Sequence, residues 1–121
     1  MEQPFSLTAE VRDECLVMRT VGYINNVGGE AIANEFRSHA PKGITRVVID
    51  LSQSKVVNSV GMSFLIEIIE QLEEVRGKVV FCGMDAAVEK MLGIMGLFKF
   101  AGKADSAEAA LQLLKSLRTG A

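Results

Sequence analysis

Ser59 stands where a hydroxyl could do chemistry. It lies in Val57-Asn58-Ser59-Val60-Gly61, between the apolar run Val47-Val48-Ile49-Asp50-Leu51 and a helical stripe of Met62, Leu65, Ile66, Ile69 and Leu72. A serine at such a turn can act as a nucleophile, cap a helix, or accept a group from another protein. The first role needs a base. The nucleophile elbow G-x-S-x-G is absent, and the single histidine, His39, has no partners in sequence to complete a catalytic set. His39 reads instead as a helix-end side chain, favourable beside the C-terminal dipole. Glu67, Glu70 and Glu74 fall opposite the apolar stripe, as a solvated helix face does. Catalysis is therefore not expected. As a helix N-cap, Ser59 would contribute about 1 kcal/mol.

The elements that must position Ser59 follow from periodicity. Val47–Leu51 is apolar without alternation, the mark of a parallel strand covered on both faces. In such sheets sites gather beyond the carboxyl ends of the strands, where Ser59 falls. Lys78-Val79-Val80-Phe81-Cys82 has the same character, and Val79–Cys82 is expected as a parallel strand adjacent or near-adjacent to Val47–Leu51. Upstream, Phe5, Leu7, Ala9 and Val11 alternate with polar residues. Arg12-Asp13-Glu14 is a charged turn, and Cys15–Val21 completes an antiparallel hairpin. Gly22-Tyr23-Ile24-Asn25-Asn26 is a loop in which Asn25 or Asn26 can cap the next helix.

That helix is expected over Gly28–Ala40, with Ile32, Phe36 and His39 on one face and Pro41 ending it. Gly28-Gly29 lacks the rest of a phosphate-loop pattern and reads as a loose helix start. Gly77 is placed to cap the central helix, Asp85 to start a short one, and Asp105 with Glu108 to form a capping box for the last. Val88, Met91, Leu92 and Met95 make the apolar stripe of the short helix, which Gly93 and Gly96 weaken or end. Met84, Met91 and Met95 read as core or core edge, with an adaptable binding surface as the alternative. Leu97–Phe100 reads as a short strand or extended connector. Ala110, Leu111, Leu114 and Leu117 define the final helix, which Gly120 follows. The order ββαβαβαβα predicts an α/β fold: a mixed four- to five-stranded sheet with one antiparallel edge strand.

Composition narrows the function. The chain has 121 residues, 49% of them hydrophobic, which suits one globular domain over 1–121. A net charge of −2 with no basic block argues against direct nucleic-acid binding. No apolar run approaches membrane-spanning length and no signal-peptide pattern opens the chain, so a cytoplasmic location without membrane insertion is expected. Cys15 and Cys82 sit in apolar strands and read as buried reduced thiols. With no CxxC and one histidine, neither a metal nor another cofactor is expected.

Three motifs in order resemble the STAS domain family, most closely its single-domain anti-sigma factor antagonists. Gly22-Tyr23-Ile24-Asn25 is similar to the family's G-E-L/I-D. Val48-Ile49-Asp50-Leu51 followed by Val57-Asn58-Ser59-Val60-Gly61-Met62 resembles its V-hydrophobic-D-L and hydrophobic-D-S-S/T-G-L. Met95-Gly96-Leu97-Phe98 is similar to its G-L/hydrophobic-F segment. The central motif is the most specific, and element order agrees over nearly the whole chain.

The resemblance implies a non-catalytic switch. Ser59 would be phosphorylated by an anti-sigma factor with Ser kinase activity, and a PP2C-type phosphatase would reverse this. The unphosphorylated form would bind the anti-sigma factor and release the sigma factor. Binding would involve Tyr23, Asn25, Asn26, Val57, Asn58, Ser59, Val60, Gly61 and Met62, with Val57, Val60 and Met62 as apolar contacts. Here Asn25 and Asn58 replace family aspartates and Val60 replaces a second Ser/Thr, so the local field is less negative. Those replacements keep open a non-switching subunit or scaffold of a larger complex, stressosome-like or lipid-transport. A small-ligand or nucleotide-binding domain is a third possibility, against which the missing phosphate loop counts.

Overall fold

Strand Val47–Leu51 is buried because alternate side chains enter two different cores. Val47, Ile49 and Leu51 point to one face of the sheet and Val48 to the other. The computed structural model describes residues 4–119 and gives the strands as β1 (Ser6–Arg12), β2 (Cys15–Val21), β3 (Arg46–Gln53), β4 (Lys78–Cys82) and β5 (Gly102–Ala104). The helices are α1 (Asn26–His39), α2 (Ser59–Glu74), α3 (Ala86–Ile94) and α4 (Ala107–Thr119). Gly120 lies outside the described residues.

The sheet runs β1-β2-β3-β4-β5, antiparallel only between β1 and β2. The expected mixed α/β sheet with an antiparallel edge is thus observed, and β3 and β4 are parallel neighbours. Asp13 and Glu14 form the two-residue hairpin turn, both at positive φ as the twist of such hairpins requires. Helices α1, α2 and α3 cover one face, where Ile32, Phe36, Leu65, Ile69, Leu72 and Leu92 meet the odd-numbered residues of β3. Helix α4 covers the other through Ala110, Leu111 and Leu114, packed on Val17, Val48, Val80 and Cys82. Cys15 and Cys82 are both buried, and neither forms a disulfide.

Several local expectations give way to tertiary contacts. On β1 only Leu7, with Phe5 before it, packs on the core; Ala9 and Val11 are exposed. Leu97–Phe100 is not extended. Gly96 adopts a left-handed conformation, and the chain coils through a 3-10 turn at Leu97–Lys99 that buries Leu97. Strand β5 starts only at Gly102, where pairing with Val80 becomes available.

At the end of α2 the left-handed residue is Arg76, not Gly77. The amides of Arg76 and Gly77 close the end by donating to the carbonyls of Glu73 and Leu72. Helix α4 is capped by Ser106, whose Oγ accepts from the Ala109 amide at 3.1 Å, so the expected box of Asp105 with Glu108 gives way to a single cap, and Glu108 pairs with Arg12 instead. Leu117 faces solvent rather than the core, as do Met91 and Met95. Glu67 pairs with Arg37 and so joins α1 to α2 instead of standing free in solvent.

Candidate functional site

β2 and β3 are parallel, so both release the chain at the same edge of the sheet. The two loops that follow are stitched together there. The Gly22 amide donates to Gln53 O at 2.9 Å, the Ile24 amide to Val56 O at 3.0 Å, and the Asn58 amide to Ile24 O at 3.0 Å. An isolated parallel bridge joins Ile24 to Val57. The regular ladder breaks between Arg19 and Val21, and buried hydroxyls take over. Thr20 Oγ1 donates to Asp50 O at 3.3 Å and lies 2.7 Å from Ser54 Oγ. Asp50 itself is spent on structure: its Oδ1 accepts from the Ser52 amide at 2.9 Å, and its Oδ2 lies 3.8 Å from Arg19 Nε.

Each loop ends in an asparagine that starts a helix. Asn25 Oδ1 accepts from the amides of Val27 and Gly28, at 3.0 and 3.1 Å. Asn58 Oδ1 accepts from the Gly61 amide at 2.8 Å. The cap of α2 is therefore Asn58, and Ser59 is the first helical residue rather than the cap. Its hydroxyl is exposed and makes no hydrogen bond among the described residues. Neither α1 nor α2 carries an acidic residue in its first turn, so two adjacent helix N-termini present their partial positive charge undiminished.

The expected site residues divide by exposure. Ser59, Val60 and Asn26 are exposed, and Tyr23, Asn25 and Asn58 are half-buried. Val57 and Met62, expected as surface contacts, are 1% and 2% exposed and belong to the core; Gly61 is also buried. They support the surface from beneath. The exposed apolar positions are Val27 at 62%, Val56 at 52% and Val60 at 47%. Val27 and Val56 escaped the sequence reading. Val27 lies off the buried stripe of α1, and Val56 sits in the loop between β3 and α2, where no periodicity marks a residue as buried or exposed. Among the other serines near the turn, Ser54 is buried and Ser63 Oγ donates to Val60 O at 2.6 Å. Among the described residues no group of acidic, histidine and cysteine side chains is arranged to hold a metal, and no helix is long and apolar enough to cross a membrane.

The family model for the STAS domain matches residues 6–110. The chain belongs to the STAS domain family. It is 29% identical over 110 residues to "Putative anti-sigma factor antagonist BtrV" of Bordetella bronchiseptica, covering 91% of this chain and 95% of that protein. Its fold is similar to that of an anti-sigma factor antagonist from Mycobacterium paratuberculosis, with a TM-score of 0.81 at 22% identity and coverage of 93% and 95% of the two chains. It is also similar to the Bacillus cell fate determinant SpoIIAA in its phosphorylated form, with a TM-score of 0.70 at 21% identity and coverage of 91% and 99%. At these identities the structural likenesses speak for the fold. The STAS architecture puts the stitched loops and the exposed Ser59 at the carboxyl edge of the sheet.

Proposed function

We propose that this STAS domain is an anti-sigma factor antagonist whose binding to an anti-sigma factor is switched by phosphorylation of Ser59. The observation that carries the reading is the exposed Ser59 hydroxyl, without a hydrogen bond among the described residues, on an edge that also exposes Val27, Val56 and Val60. The relatives named as anti-sigma factor antagonists support the partner, and the phosphorylated form of SpoIIAA supports the chemistry. The partner would be an anti-sigma factor with Ser kinase activity, and a PP2C-type phosphatase would reset the switch. In its resting form the valines and the rim of Tyr23, Asn25, Asn26 and Asn58 dock, and the sigma factor is released.

The physics of the switch is local. A phosphate on Ser59 adds about 1.5 to 2 negative charges at neutral pH. The N-termini of α2 and α1 accommodate it, and the amides of Asn25 and Asn58 do not repel it. The fold is kept, while the docked surface would have to desolvate the new charge. Phosphoryl transfer to Ser59 Oγ and its hydrolysis belong to the partners, and the domain supplies a presented hydroxyl.

The decisive experiment is incubation with the cognate kinase and ATP, followed by mass spectrometry and calorimetric titration. Modification should map to Ser59 and vanish in Ser59→Ala, which should bind like wild type. Ser59→Asp should weaken binding by about 3 kcal/mol, roughly a hundredfold. The neutral caps Asn25 and Asn58 favour one second reading, a non-switching subunit of a larger complex. Unmodified Ser59, with Ser59→Asp binding as wild type does, would establish that reading instead.

A further inference from the structure

Helix α3 is apolar on two sides. Val88 and Leu92 face the core, as expected of a covering helix. Ala87, Met91 and Ile94 form a second stripe at i, i+4 and i+7 that faces outward, with Ile94 at 74% exposure. Met95 and, past the 3-10 turn, Phe100 are also exposed. An apolar stripe on the outer side of a helix is ordinarily covered, and here Met91 and Ile94 meet solvent. Beside this ridge runs a groove of about 310 Å³, lined by Ala86, Glu89, Lys90, Gly93, Phe98 and Lys103. Small residues at Ala86 and Gly93 keep the groove open beside the Phe98 ring, over which Lys103 Nζ stands 5.1 Å from the centroid.

Charge selects the occupant. Lys90 and Lys99 are exposed and have no ion-pair partner among the described residues. Glu89 is occupied by Lys103 at 2.9 Å, and Lys78 Nζ donates to Phe100 O at 3.3 Å. Asp85, at the start of α3, is engaged too, its Oδ1 accepting from the Val88 amide at 2.9 Å, so the charge left over at this border is that of Lys90 and Lys99. Two copies meeting face to face here would set lysines against lysines, which disfavours self-association. We infer that the outer face of α3 and its groove form a second docking surface, for a partner helix with apolar side chains at i, i+3, i+4 and i+7 flanked by Asp or Glu.

This surface begins, at Ala86 and Ala87, on the sheet edge that also carries Ser59, and its far end lies at the opposite edge. Helix α3 starts at the carboxyl end of β4 and runs back, and the Lys78 contact places Phe100 at the amino end of that strand. A partner held there stays held whether or not Ser59 carries a phosphate, so the surface acts as a tether independent of the switch.

The test uses the whole chain and two synthetic amphipathic peptides with the same leucine stripe, one flanked by glutamates and one by lysines. Nuclear magnetic resonance titration should move Met91, Ile94, Met95 and Phe98 with the acidic peptide only. Ile94→Glu should weaken that binding by at least roughly tenfold. Lys90→Glu/Lys99→Glu, which leaves the apolar ridge whole, should lose the acidic peptide and gain the basic one. Ser59→Asp should bind the acidic peptide within about twofold of wild type. The inference is overturned if neither peptide binds or if both bind equally. It is also overturned if sedimentation shows self-association abolished by Ile94→Glu, or if the chain binds vesicles of phosphatidylserine in preference to the acidic peptide.

Discussion

Gly61 lies directly against the carbonyl of Ile24: a Cβ built on Gly61 would stand 2.2 Å from Ile24 O. That oxygen already accepts the Asn58 amide. The first loop and the second helix therefore share one contact, and the position of Ser59 depends on it. Gly61→Ala would force the start of α2 away from the first loop. Stability should fall by about 3 kcal/mol, with Tm down by roughly 10 °C. Thermal melts followed by circular dichroism check this; a Tm within a degree or two of wild type would show that the loop yields freely.

Asn58, not Ser59, caps α2. Asn58→Ala should cost about 1 kcal/mol, and Ser59→Ala should stay within about 0.5 kcal/mol of wild type. Urea unfolding of the two variants separates the roles. If Ser59→Ala is the more damaging, the hydroxyl contributes to the helix start after all.

Thr20 and Ser54 form a buried hydroxyl pair at the break in the β2–β3 ladder. Thr20 donates to Asp50 O, which leaves Ser54 to donate to Thr20. Thr20→Val strands the Ser54 hydroxyl and should cost about 2 kcal/mol, whereas Ser54→Ala should cost about 1 kcal/mol. The double variant should lose less than the sum. A double-mutant cycle in urea gives the coupling, and strict additivity would refute the pairing. Hydrogen exchange should also quicken between Ser54 and Asn58 in either single variant, since this pair holds the loop that presents Ser59.

Burial pushes the Cys82 thiol up to about 12, and the carboxylate of Asp50 adds to the effect. The folded state thus keeps the proton that the unfolded chain gives up near its ordinary value of 9.0. A raised folded value means full stability below the unfolded value and progressive loss as pH climbs from there toward 12. Wild type should therefore lose stability across that window more steeply than Cys82→Ala. Denaturant midpoints measured on both at several alkaline pH values check the slope; equal slopes would remove Cys82 from the alkaline transition. In native protein near neutral pH, Cys82 should resist alkylation until the chain unfolds.

Much of this protein was written locally. The apolar runs of Val47–Leu51, interrupted only by Asp50, and of Val79–Cys82 have the length of strands buried on both faces, and the stripe from Met62 to Leu72 has the period of a covering helix. Alternating elements then imposed the parallel sheet, and the motif around Ser59 pointed to the family. Periodicity suffices for these because burial on a regular element repeats at fixed spacing. The tertiary structure decided what periodicity does not carry. Val57 and Val60 are the same residue three positions apart, yet the bridge to Ile24 takes Val57 into the core and leaves Val60 in solvent. Asn58 became the cap because its backbone is tied to the first loop, which fixes where α2 starts. Met91 and Ile94 face water because, among the described residues, no other element crosses the outside of α3, a fact about the arrangement of layers that no stretch of sequence states.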